Sequence, residues 1–371
     1  MTVRVLVVDD SALIRKVLLD ILNTDPEIKV VGTAVNGEDG LEKVEKLRPD
    51  VILLDNVMPV LDGLKTLARI MKRYPTPVII VSVLGEKAEQ ITLTAFEYGA
   101  VDVIQKPEGI LSQTIPEIAD EICRKVRAAA KANLKNLECM QGKEDKKLEI
   151  PRSQTRKKIY IDSIDRKDWF LKKINPLPVR NVLAIGASTG GPRALEKLIS
   201  SFPSDLPAAI LVVQHMPPGF TASFAKRLDA KSPLRVKEAN EGDLVEEGTV
   251  LIAPGNQHME IVQKLEKGIR KQVVHLSSGP KELGSRPSVD VLFRSIAPIY
   301  GSKTISLILT GMNCDGADGA AEIKKMGGKV IAEAESSCVI YGMPGEIVRR
   351  GLADFVLPLD KMNEEIIKLM N

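Results

Sequence analysis

The sequence predicts an α/β protein with two parallel-sheet domains. Three observations support this: the chain length, an alternation of strand-like and helix-like segments, and a break in that alternation near the middle. At 371 residues the chain is longer than one ordinary hydrophobic core and suits two domains with a connector. Short β-branched runs alternate with longer amphipathic stretches, which is typical of parallel α/β folds. The alternation stops between about residues 128 and 180 and then resumes.

Five strand-like runs in the first third of the chain predict one parallel sheet. They lie near Val3, Val30, Val51, Val78 and Val101. Each run is followed by apolar residues at helical spacing. Five strands and five helices fit within residues 1–125, which form the first predicted domain.

Residues 126–179 are predicted to be a basic interdomain linker. Residues 121–180 carry 17 Lys and Arg against 8 Asp and Glu, and prolines stand at 176 and 178. Residues 128–137 favour helix and are predicted to extend the last helix of the first domain. The apolar side chains within residues 159–171 are unusual for a free tether, so we expect them to dock on one of the domains.

A second alternation predicts a doubly wound parallel α/β domain over residues 180–371. Its strand-like runs are NVLAIGAS, PAAILVVQH, TVLIAPGN, TISLILTGM and KVIAEA, with helix-like stretches between most of them. In such sheets the functional side chains collect where strands end, at the carboxyl edge.

The composition is that of a soluble globular protein, with 44% hydrophobic and 27% charged residues. No apolar run reaches the roughly 18 residues that span a bilayer, and Met1 leads directly into a strand-like segment, so we expect a cytoplasmic protein without membrane insertion. The net charge is only +3, and the basic excess is confined to the linker, which argues against nucleic-acid binding. The four cysteines lack paired or CxxC spacing and are expected to be reduced thiols.

Polar side chains stand at four strand ends of the first domain. Asp9 and Asp10 close the first strand, Asp55 the third and Ser82 the fourth, and Lys106 follows the fifth. Strand ends of an open parallel sheet meet at one edge, where three carboxylates repel one another unless a hard cation such as Mg²⁺ lies among them. Asp55 can then attack a phosphoryl donor, while the cation and Lys106 neutralise charge and Ser82 binds the phosphate.

This set, with the VMPVLDG loop after Asp55 and the Lys106–Pro107 pair, resembles a response-regulator receiver of the five-stranded flavodoxin-like type. The resemblance covers residues 1–125. It implies phosphorylation of Asp55, phosphate sensing by Ser82 and Lys106, and Mg²⁺ held by Asp9, Asp10, Asp55 and the backbone carbonyl of Val57. Val103 stands where receivers often carry an aromatic switch residue, so a relay through that position is not expected here.

The string AIGASTGGPRAL places Ser188 in a glycine-rich turn between a strand and a helix opened by Pro192. Helix-start amides beside such a hydroxyl suit either a phosphate or a developing oxyanion. The residues alone therefore allow a nucleotide cradle or an esterase. The turn is neither GxGxxG nor a Walker pattern, so the nucleotide signal is weak.

The esterase hypothesis requires a histidine base and a carboxylate that orients the histidine. His215 ends the next strand, and the later string LTGMNCDGADG supplies Asp315 and Asp318 as candidate acids. His258 also follows a strand and competes with His215 for the role of base. The third histidine, His275, lies in a valine-rich stretch and is expected to be a surface or packing residue.

Five sequence blocks, GASTGGP, QHMPPGFT, IAPGNQH, SRPSVDVLFRS and LTGM..DG, resemble the catalytic domain of the chemotaxis protein-glutamate methylesterases. The likeness spans about residues 180–365. It implies a catalytic triad of Ser188 as nucleophile, His215 as base and Asp315 as orienting acid. Active-site supporting positions fall on Thr189, Gly190 and Met312. The family usually has Gly where Asn313 stands, and Asp318 remains an alternative acid.

The resemblance implies a phosphorylation-regulated enzyme that hydrolyses glutamate γ-methyl esters on chemoreceptors and deamidates selected receptor glutamines. The implied phosphodonor is the chemotaxis histidine kinase; Mg²⁺ serves receiver phosphorylation, and ester hydrolysis needs no cofactor. The unphosphorylated receiver is expected to cover the Ser188 cleft. Three alternatives stay open: a receiver-controlled nucleic-acid regulator, a non-catalytic switch that binds a partner through the Ser188 cleft, and a hydrolase of small soluble esters.

Overall fold

The computed structural model describes residues 2–107, 115–137, 179–266 and 268–370. The N-terminal domain is a parallel sheet in the order β2-β1-β3-β4-β5. Its strands are β1 (Val3–Val8), β2 (Ile28–Ala34), β3 (Val51–Asp55), β4 (Val78–Ser82) and β5 (Asp102–Gln105). Its helices are α1 (Ala12–Leu22), α2 (Gly37–Leu47), α3 (Gly63–Arg73), α4 (Glu86–Glu97) and α5 (Ile115–Ala129). The predicted five strands, five helices and flavodoxin-like strand order are confirmed.

Side-chain caps set where several of these helices begin. Ser11, Asn36 and Asp62 each accept a hydrogen bond from the backbone amide three residues further on, which satisfies a donor that the helix itself cannot. Gly63 lets α3 start directly against the end of β3, because a Cβ at this position would lie 2.3 Å from the carbonyl oxygen of Asp55. The loop that carries Asp55 is thereby folded tightly under its own helix.

The C-terminal domain has a seven-stranded parallel sheet in the order β14-β13-β12-β6-β7-β9-β8. Its strands are β6 (Asn181–Ala187), β7 (Ala208–Gln214), β8 (Arg235–Glu238), β9 (Thr249–Ile252), β12 (Thr304–Ile308), β13 (Lys329–Glu333) and β14 (Phe355–Leu357). Its helices are α6 (Gly191–Ser201), α7 (Phe220–Lys231), α8 (Val289–Tyr300), α9 (Ala317–Lys325), α10 (Met343–Arg349) and α11 (Leu359–Met370). This is the predicted doubly wound architecture.

An antiparallel hairpin is added to this sheet framework. It consists of β10 (His258–Glu266) and β11 (Ile269–Ser277), which pair in register from His258 opposite Ser277. The hairpin and the short strands β8 and β14 were not predicted from the sequence pattern. Strands of three or four residues carry too few side chains to show a period of two.

The two domains pack against each other along α4, β5 and α5 of the first. One continuous apolar cluster includes Phe96 of the receiver-like domain and Phe224 of the second. At its rim, Arg227 and Lys231 of α7 both pair with Glu97 at the end of α4 and with Glu196 of α6. Among the described residues, no helix is both long and apolar enough to cross a bilayer.

The predicted helical extension over residues 128–137 is wrong. Helix α5 ends at Ala129, and a short 3-10 turn, Leu134–Asn136, follows. The backbone amide of Asn133 donates to the carbonyl of Val339 at 2.9 Å, and Asn136 Nδ2 donates to the carbonyl of Cys338 at 2.7 Å. These contacts with the second domain override the local helix propensity. The apolar residues within 159–171 lie outside the described residues, and the boundaries of the linker stay a prediction.

Candidate active site

The second domain has a topological switch point between β6 and β12. From β6 the chain continues to β7 on one side, whereas from β12 it continues to β13 on the other. Loops that leave adjacent strands in opposite directions open a crevice at the carboxyl edge. Ser188 follows β6, and the loop with Met312 and Asp315 follows β12. His215 follows β7, so all three predicted triad residues reach this crevice.

Ser188 lies in a tight turn between β6 and α6. Its amide donates to the carbonyl of Thr310 at 3.0 Å, and its carbonyl accepts from the amide of Gly191 at 2.8 Å. Gly190 has φ +80°, a left-handed conformation that favours glycine. A Cβ on Gly191 would lie 2.1 Å from Gln214 Oε1, so two glycines are required for the turn. The positive end of α6 is then directed at the Ser188 region.

His215 and Asp315 form a buried pair. His215 Nε2 lies 2.7 Å from Asp315 Oδ2, and His215 Nδ1 is buried with no hydrogen-bond partner among the residues that the structure describes. Because Nε2 carries the proton donated to the carboxylate, Nδ1 is left as the basic nitrogen. This is the reverse of the nitrogen assignment in chymotrypsin-like triads.

Asp315 is held as a charged acceptor at the start of α8. Besides His215, it accepts hydrogen bonds from Ser288 Oγ at 2.8 Å and from the amides of Val289 at 2.8 Å and Asp290 at 3.0 Å. Burial alone would raise the pKa of Asp315, but the hydrogen bonds from His215 and the two amides outweigh it and lower that pKa below its ordinary value. The carboxylate is therefore ionised and keeps the imidazole oriented.

The alternative acid and bases occupy other positions. Asp318 lies in the first turn of α9 and pairs with Arg350 at the surface, at 2.5 Å. His258 is buried: its Nδ1 accepts from the amide of Ser288 at 3.1 Å, and its Nε2 donates to the carbonyl of Pro280 at 2.9 Å. Both nitrogens of His258 are thus used to support the loop before α8. His275 is largely exposed beside Glu241.

In the loop before Asp315, this chain has Asn313 where the family usually has glycine. It has φ +65°, a conformation that asparagine tolerates better than most residues. Its Oδ1 accepts a hydrogen bond from the amide of Asp315 at 3.0 Å. The side chain therefore supports the loop that a glycine would otherwise permit.

A cavity of about 430 Å³ joins the second domain to the first. Ser188, His215 and Met312 line it on one side, and Ile104, Gln105 and Lys106 together with part of α5 line it on the other. The supporting positions Thr189 and Gly190 contact the first domain directly. Thr189 Oγ1 donates to the carboxylate of Asp102, and the amide of Gly190 donates to the carbonyl of Val101 at 2.9 Å.

Asp102 is a functional candidate that the sequence analysis missed. Its second carboxylate oxygen, Oδ1, accepts from Lys125 Nζ at 3.0 Å, and Lys125 also donates to the carbonyl of Val103 at 2.7 Å. Asp102 is the first residue of β5, whereas the residues predicted as functional candidates lie at or after the carboxyl ends of strands. No sequence pattern marks a contact that exists only once the two domains pack together.

In the first domain, the predicted acidic residues and Lys106 lie close together at the carboxyl edge of the sheet. Carboxylate oxygens of Asp9, Asp10 and Asp55 lie within 4.8 Å of one another. Lys106 Nζ lies 2.9 Å from Asp9 Oδ2 and 2.8 Å from Asp55 Oδ2. Burial raises the pKa of Asp55 to about 6, with the charge of Asp9 adding to the rise and Lys106 opposing it. This clustering of acids is suited to a hard divalent cation.

Ser82 is linked to Asp55 through a residue that the sequence analysis did not single out. Asn56 Nδ2 donates to Ser82 Oγ at 2.9 Å and approaches the carbonyl of Ala88 at 3.2 Å, which ties the end of β3 to β4 and α4. Val103 is buried in β5. The amide of Val57 donates to Asp55 Oδ1 at 3.2 Å, so the loop after β3 is held against the acidic cluster.

The fold and the two sites define a class of protein: a phosphorylatable receiver packed on a doubly wound hydrolase domain with a serine, histidine and aspartate at its crevice. Family models agree. Residues 5–114 match the response regulator receiver domain, and residues 183–366 match the CheB methylesterase. The chain belongs to the CheB methylesterase family.

Relatives resemble the chain over its whole length. A Methanosarcina acetivorans protein named protein-glutamate methylesterase/protein-glutamine glutaminase 2 is 74% identical over 370 residues, covering 100% of both chains. A Pyrococcus horikoshii protein named protein-glutamate methylesterase/protein-glutamine glutaminase is 46% identical over 367 residues, covering 99% of this chain and 93% of its own.

Solved structures match the domains separately. The Thermotoga maritima CheB methylesterase catalytic domain is 48% identical, covering 51% of this chain and 98% of its own, with a TM-score of 0.49. The response regulator domain of Thermotoga maritima CheB is also 48% identical, covering 36% of this chain and 99% of its own, with a TM-score of 0.33.

Proposed function

We propose that this protein is a phosphorylation-regulated protein-glutamate methylesterase that hydrolyses glutamate γ-methyl esters on chemoreceptors. The observation that carries the proposal is the His215–Asp315 pair, with a free, buried Nδ1, on the same cavity as Ser188. The full-length relatives named for this activity support it. Their names also include protein-glutamine glutaminase, and a primary amide differs from the methyl ester only in its leaving group.

The first half-reaction forms an acyl-enzyme. His215 Nδ1 accepts the proton of the Ser188 hydroxyl while Oγ attacks the ester carbonyl carbon. The positive end of α6 stabilises the negative charge on the resulting tetrahedral oxygen. The C–O bond to the methoxy group then breaks, and the proton on His215 leaves with it as methanol.

The second half-reaction restores the enzyme. Water loses a proton to His215 Nδ1 as its oxygen attacks the acyl carbon, and the Ser188 oxygen leaves with that proton. The product is a glutamic acid side chain, which releases its remaining proton to water and becomes the carboxylate. Throughout, Asp315 holds Nε2–H of His215, so only Nδ1 exchanges protons, and the ionised carboxylate stabilises the imidazolium that forms in each half.

The receiver half of the proposal concerns Asp55 as phospho-acceptor. Asp9, Asp10, Asp55 and the backbone carbonyl of Val57 are the groups proposed to hold Mg²⁺, whose role is to neutralise phosphoryl charge. The fit is favourable because oxygens of three carboxylates lie within 4.8 Å of one another, and because burial, with a smaller contribution from the charge of Asp9, raises the pKa of Asp55 to about 6. A divalent cation held there would offset both effects. An Asp55 carboxylate oxygen forms a bond to the donor phosphorus as the bond between that phosphorus and the donor's leaving group breaks, the leaving group departs with the bonding electron pair, and Lys106 with Ser82 binds the transferred phosphate.

Lys106 connects the two sites. It pairs with Asp9 and Asp55 and also lines the cavity that contains Ser188. In the proposed regulation, the receiver covers the crevice. Its Asp102 carboxylate accepts a hydrogen bond from the Thr189 hydroxyl, and its Val101 carbonyl accepts one from the Gly190 amide. Phosphate on Asp55 draws Lys106 away from its carboxylate partners and loosens the β5–α5 wall of the cavity.

The partners follow from the same proposal. The substrate is a methyl-accepting chemoreceptor, and the phosphodonor is a chemotaxis histidine kinase. Both act from the cytoplasm, which is the proposed location of this protein. Ester hydrolysis requires no cofactor, because Ser188, His215 and Asp315 supply the nucleophile and the proton transfers.

A serine-directed fluorophosphonate tests the catalytic assignment. The full chain is incubated with a small phosphodonor, Mg²⁺ and the probe, and peptides are mapped by mass spectrometry. We expect a single adduct on Ser188, which Ser188→Ala abolishes, and we expect only the wild type to release methanol from methylated receptor membranes. Methanol release by Ser188→Ala at the wild-type rate would overturn the proposal.

A further inference from the structure

Glu333 is a fully buried carboxylate that the proposed reaction does not use. It is the last residue of β13 and has no exposed surface. It does not line the cavity of Ser188 and His215. Burial raises the pKa of Glu333 above its ordinary value, even though neighbouring hydrogen bonds oppose the rise. Burying a carboxyl group costs free energy unless its hydrogen bonds are made, so its partners indicate its role.

The two oxygens of Glu333 hold two neighbouring segments. Oε2 accepts from the backbone amide of Thr310 at 2.8 Å, and Oε1 accepts from Ser337 Oγ at 2.8 Å. The backbone ladder between β12 and β13 ends with Ile308 opposite Ala332. The amide of Thr310 therefore lies beyond the last strand partner, and the Glu333 side chain supplies the acceptor that a strand carbonyl would otherwise provide.

Thr310 in turn holds the turn that carries the nucleophile. Its carbonyl accepts from the amide of Ser188 at 3.0 Å, and its Oγ1 donates to the carbonyl of Thr189 at 3.0 Å. The same Oγ1 accepts from the amide of Ile340 at 2.9 Å. Thr310 thus contacts the backbone on both sides of the Ser188 side chain, and its own amide is fixed by Glu333.

We propose that Glu333 is a positioning residue for the nucleophile: by holding the Thr310 amide, it fixes the backbone of Ser188 and Thr189. This inference rests on the proposed function, in which Ser188 attacks the ester. A displacement of about 1 Å in a reacting group can cost on the order of a hundredfold in rate. Glu333 therefore affects the chemical step more than substrate binding.

Glutamine at position 333 can preserve these contacts without charge. Its carbonyl accepts from the Thr310 amide, and its NH₂ donates to Ser337 Oγ. The Ser337 hydroxyl can then turn to the carbonyl of Ala334, which lies 3.3 Å away. Alanine at the same position leaves the buried Thr310 amide without an acceptor. Rescue by glutamine therefore separates hydrogen-bonded positioning from a need for charge.

The chain offers a matched control at the other end of β13. Asp354 Oδ2 accepts from the amide of Val330 at 2.9 Å, so Asp354→Ala also removes a carboxylate that holds a backbone amide. The described contacts of Asp354 are with Val330, Lys324 and Lys329, and none is with the Ser188 turn. It therefore reports what the loss of a carboxylate bound to a β13 backbone amide does to stability away from the Ser188 turn, at a position more exposed than Glu333.

The experiment compares full-length wild type, Glu333→Ala, Glu333→Gln and Asp354→Ala with a small phosphodonor and Mg²⁺. The measurements are Tm, kcat and KM for methanol release from methylated receptor membranes, and the rate of Ser188 modification by a fluorophosphonate. We expect Glu333→Ala to lower kcat and the modification rate at least tenfold with KM within twofold. Glu333→Gln stays within threefold of wild type, and Asp354→Ala loses Tm but keeps both rates.

Equal rates for Glu333→Ala and Asp354→Ala, or glutamine as slow as alanine, would overturn the inference. If Glu333→Ala does not fold, Glu333→Asp replaces it, because the shorter side chain cannot reach both partners and is expected to be equally slow. Failure of the proposed function gives a different result: wild type releases no methanol. The fluorophosphonate rates at Ser188 still decide whether Glu333 positions that hydroxyl.

Discussion

Asp315 shows how a single residue acquires its role from the groups around it. Ser288, Val289 and Asp290 direct three donors at its carboxylate from the start of α8, and His215 adds a fourth. Hydrogen bonds to the ionised form lower an acid's pKa even when burial opposes them. Asp318, three residues further along the chain, is exposed on α9 and pairs with Arg350 instead.

At residue scale, the side chains that follow strands were predictable from the sequence. Ser188, His215 and Asp315 were predictable as candidates because parallel strands end at one edge, although their triad roles remain proposals. The residue pattern alone did not decide between His215 and His258 as base, and only the family resemblance implied His215. The choice depends on hydrogen bonds: His258 uses both nitrogens on Ser288 and Pro280, whereas His215 keeps Nδ1 free.

The acidic cluster makes a pH-dependent prediction. The pKa of Asp55 is raised from 3.8 to about 6 by burial, and Mg²⁺ binds the ionised form. Below pH 6 the ionised fraction falls about tenfold per pH unit, so the Mg²⁺ affinity of the full chain is expected to fall by about that factor per unit. Calorimetric titration with Mg²⁺ between pH 5 and 8 measures it.

The free energy of unfolding depends on pH with the opposite sign to that expected for an acid stabilised by an ion pair. Between about pH 4 and 6 the native state retains a proton on Asp55 that the unfolded chain has lost, so metal-free stability falls as pH rises through about 6. The control is Asp55→Asn, which cannot show this dependence at position 55. Mg²⁺ affinity that is unchanged between pH 5 and 8 would contradict a shifted Asp55 as ligand.

At the scale of elements, α4 and β5 are, together with α5, the parts of the receiver that contact the catalytic domain. Their α/β pattern was predictable because their own buried faces produce it. Their contacts with α7 and with the Ser188 turn were not, since Glu97, Asp102 and Val101 look like ordinary helix-end and strand-start residues in sequence. The hairpin of β10 and β11 was missed because the last four residues of β10 and the first two of β11 are exposed and mostly polar or charged, so the apolar pattern fades there.

Reversing one charge at the end of α4 is expected to open the interface. In Glu97→Lys, the new ammonium group faces Arg227 and Lys231, which now pair with Glu97. Exposed pairs contribute only about 0–1 kcal/mol, but reversal replaces attraction with repulsion. Esterase activity without phosphodonor is expected to rise about two- to tenfold, measured as methanol release from methylated receptor membranes.

The matched control for this change is Glu86→Lys. Glu86 begins the same helix and is exposed, and the described ion pairs across the interface do not include it. It should leave the donor-free rate within error of wild type. If both substitutions raise the rate equally, the effect belongs to the net charge of α4 and not to the pairs with α7.

At the scale of the whole molecule, two parallel α/β domains share an interface. Lys106 touches the acidic cluster of the receiver and the cavity of the hydrolase, and α5 continues into a segment that docks on residues 338–339. The presence of both domains was predictable from the interrupted strand rhythm. The family resemblance implied that the receiver covers the Ser188 cleft, but the individual contacts between the domains were not predictable, because they depend on long-range surface complementarity that leaves no period in the sequence.

One measurement tests the central claim most directly: methanol release from methylated receptor membranes by wild type, Ser188→Ala and Asp55→Asn, each with Mg²⁺ and with or without a small phosphodonor. The account predicts that the donor accelerates the wild type, that Ser188→Ala is inactive in both conditions, and that Asp55→Asn hydrolyses at the donor-free rate whether or not donor is present. A donor response that survives in Asp55→Asn, or a wild type inactive in every condition, would contradict it.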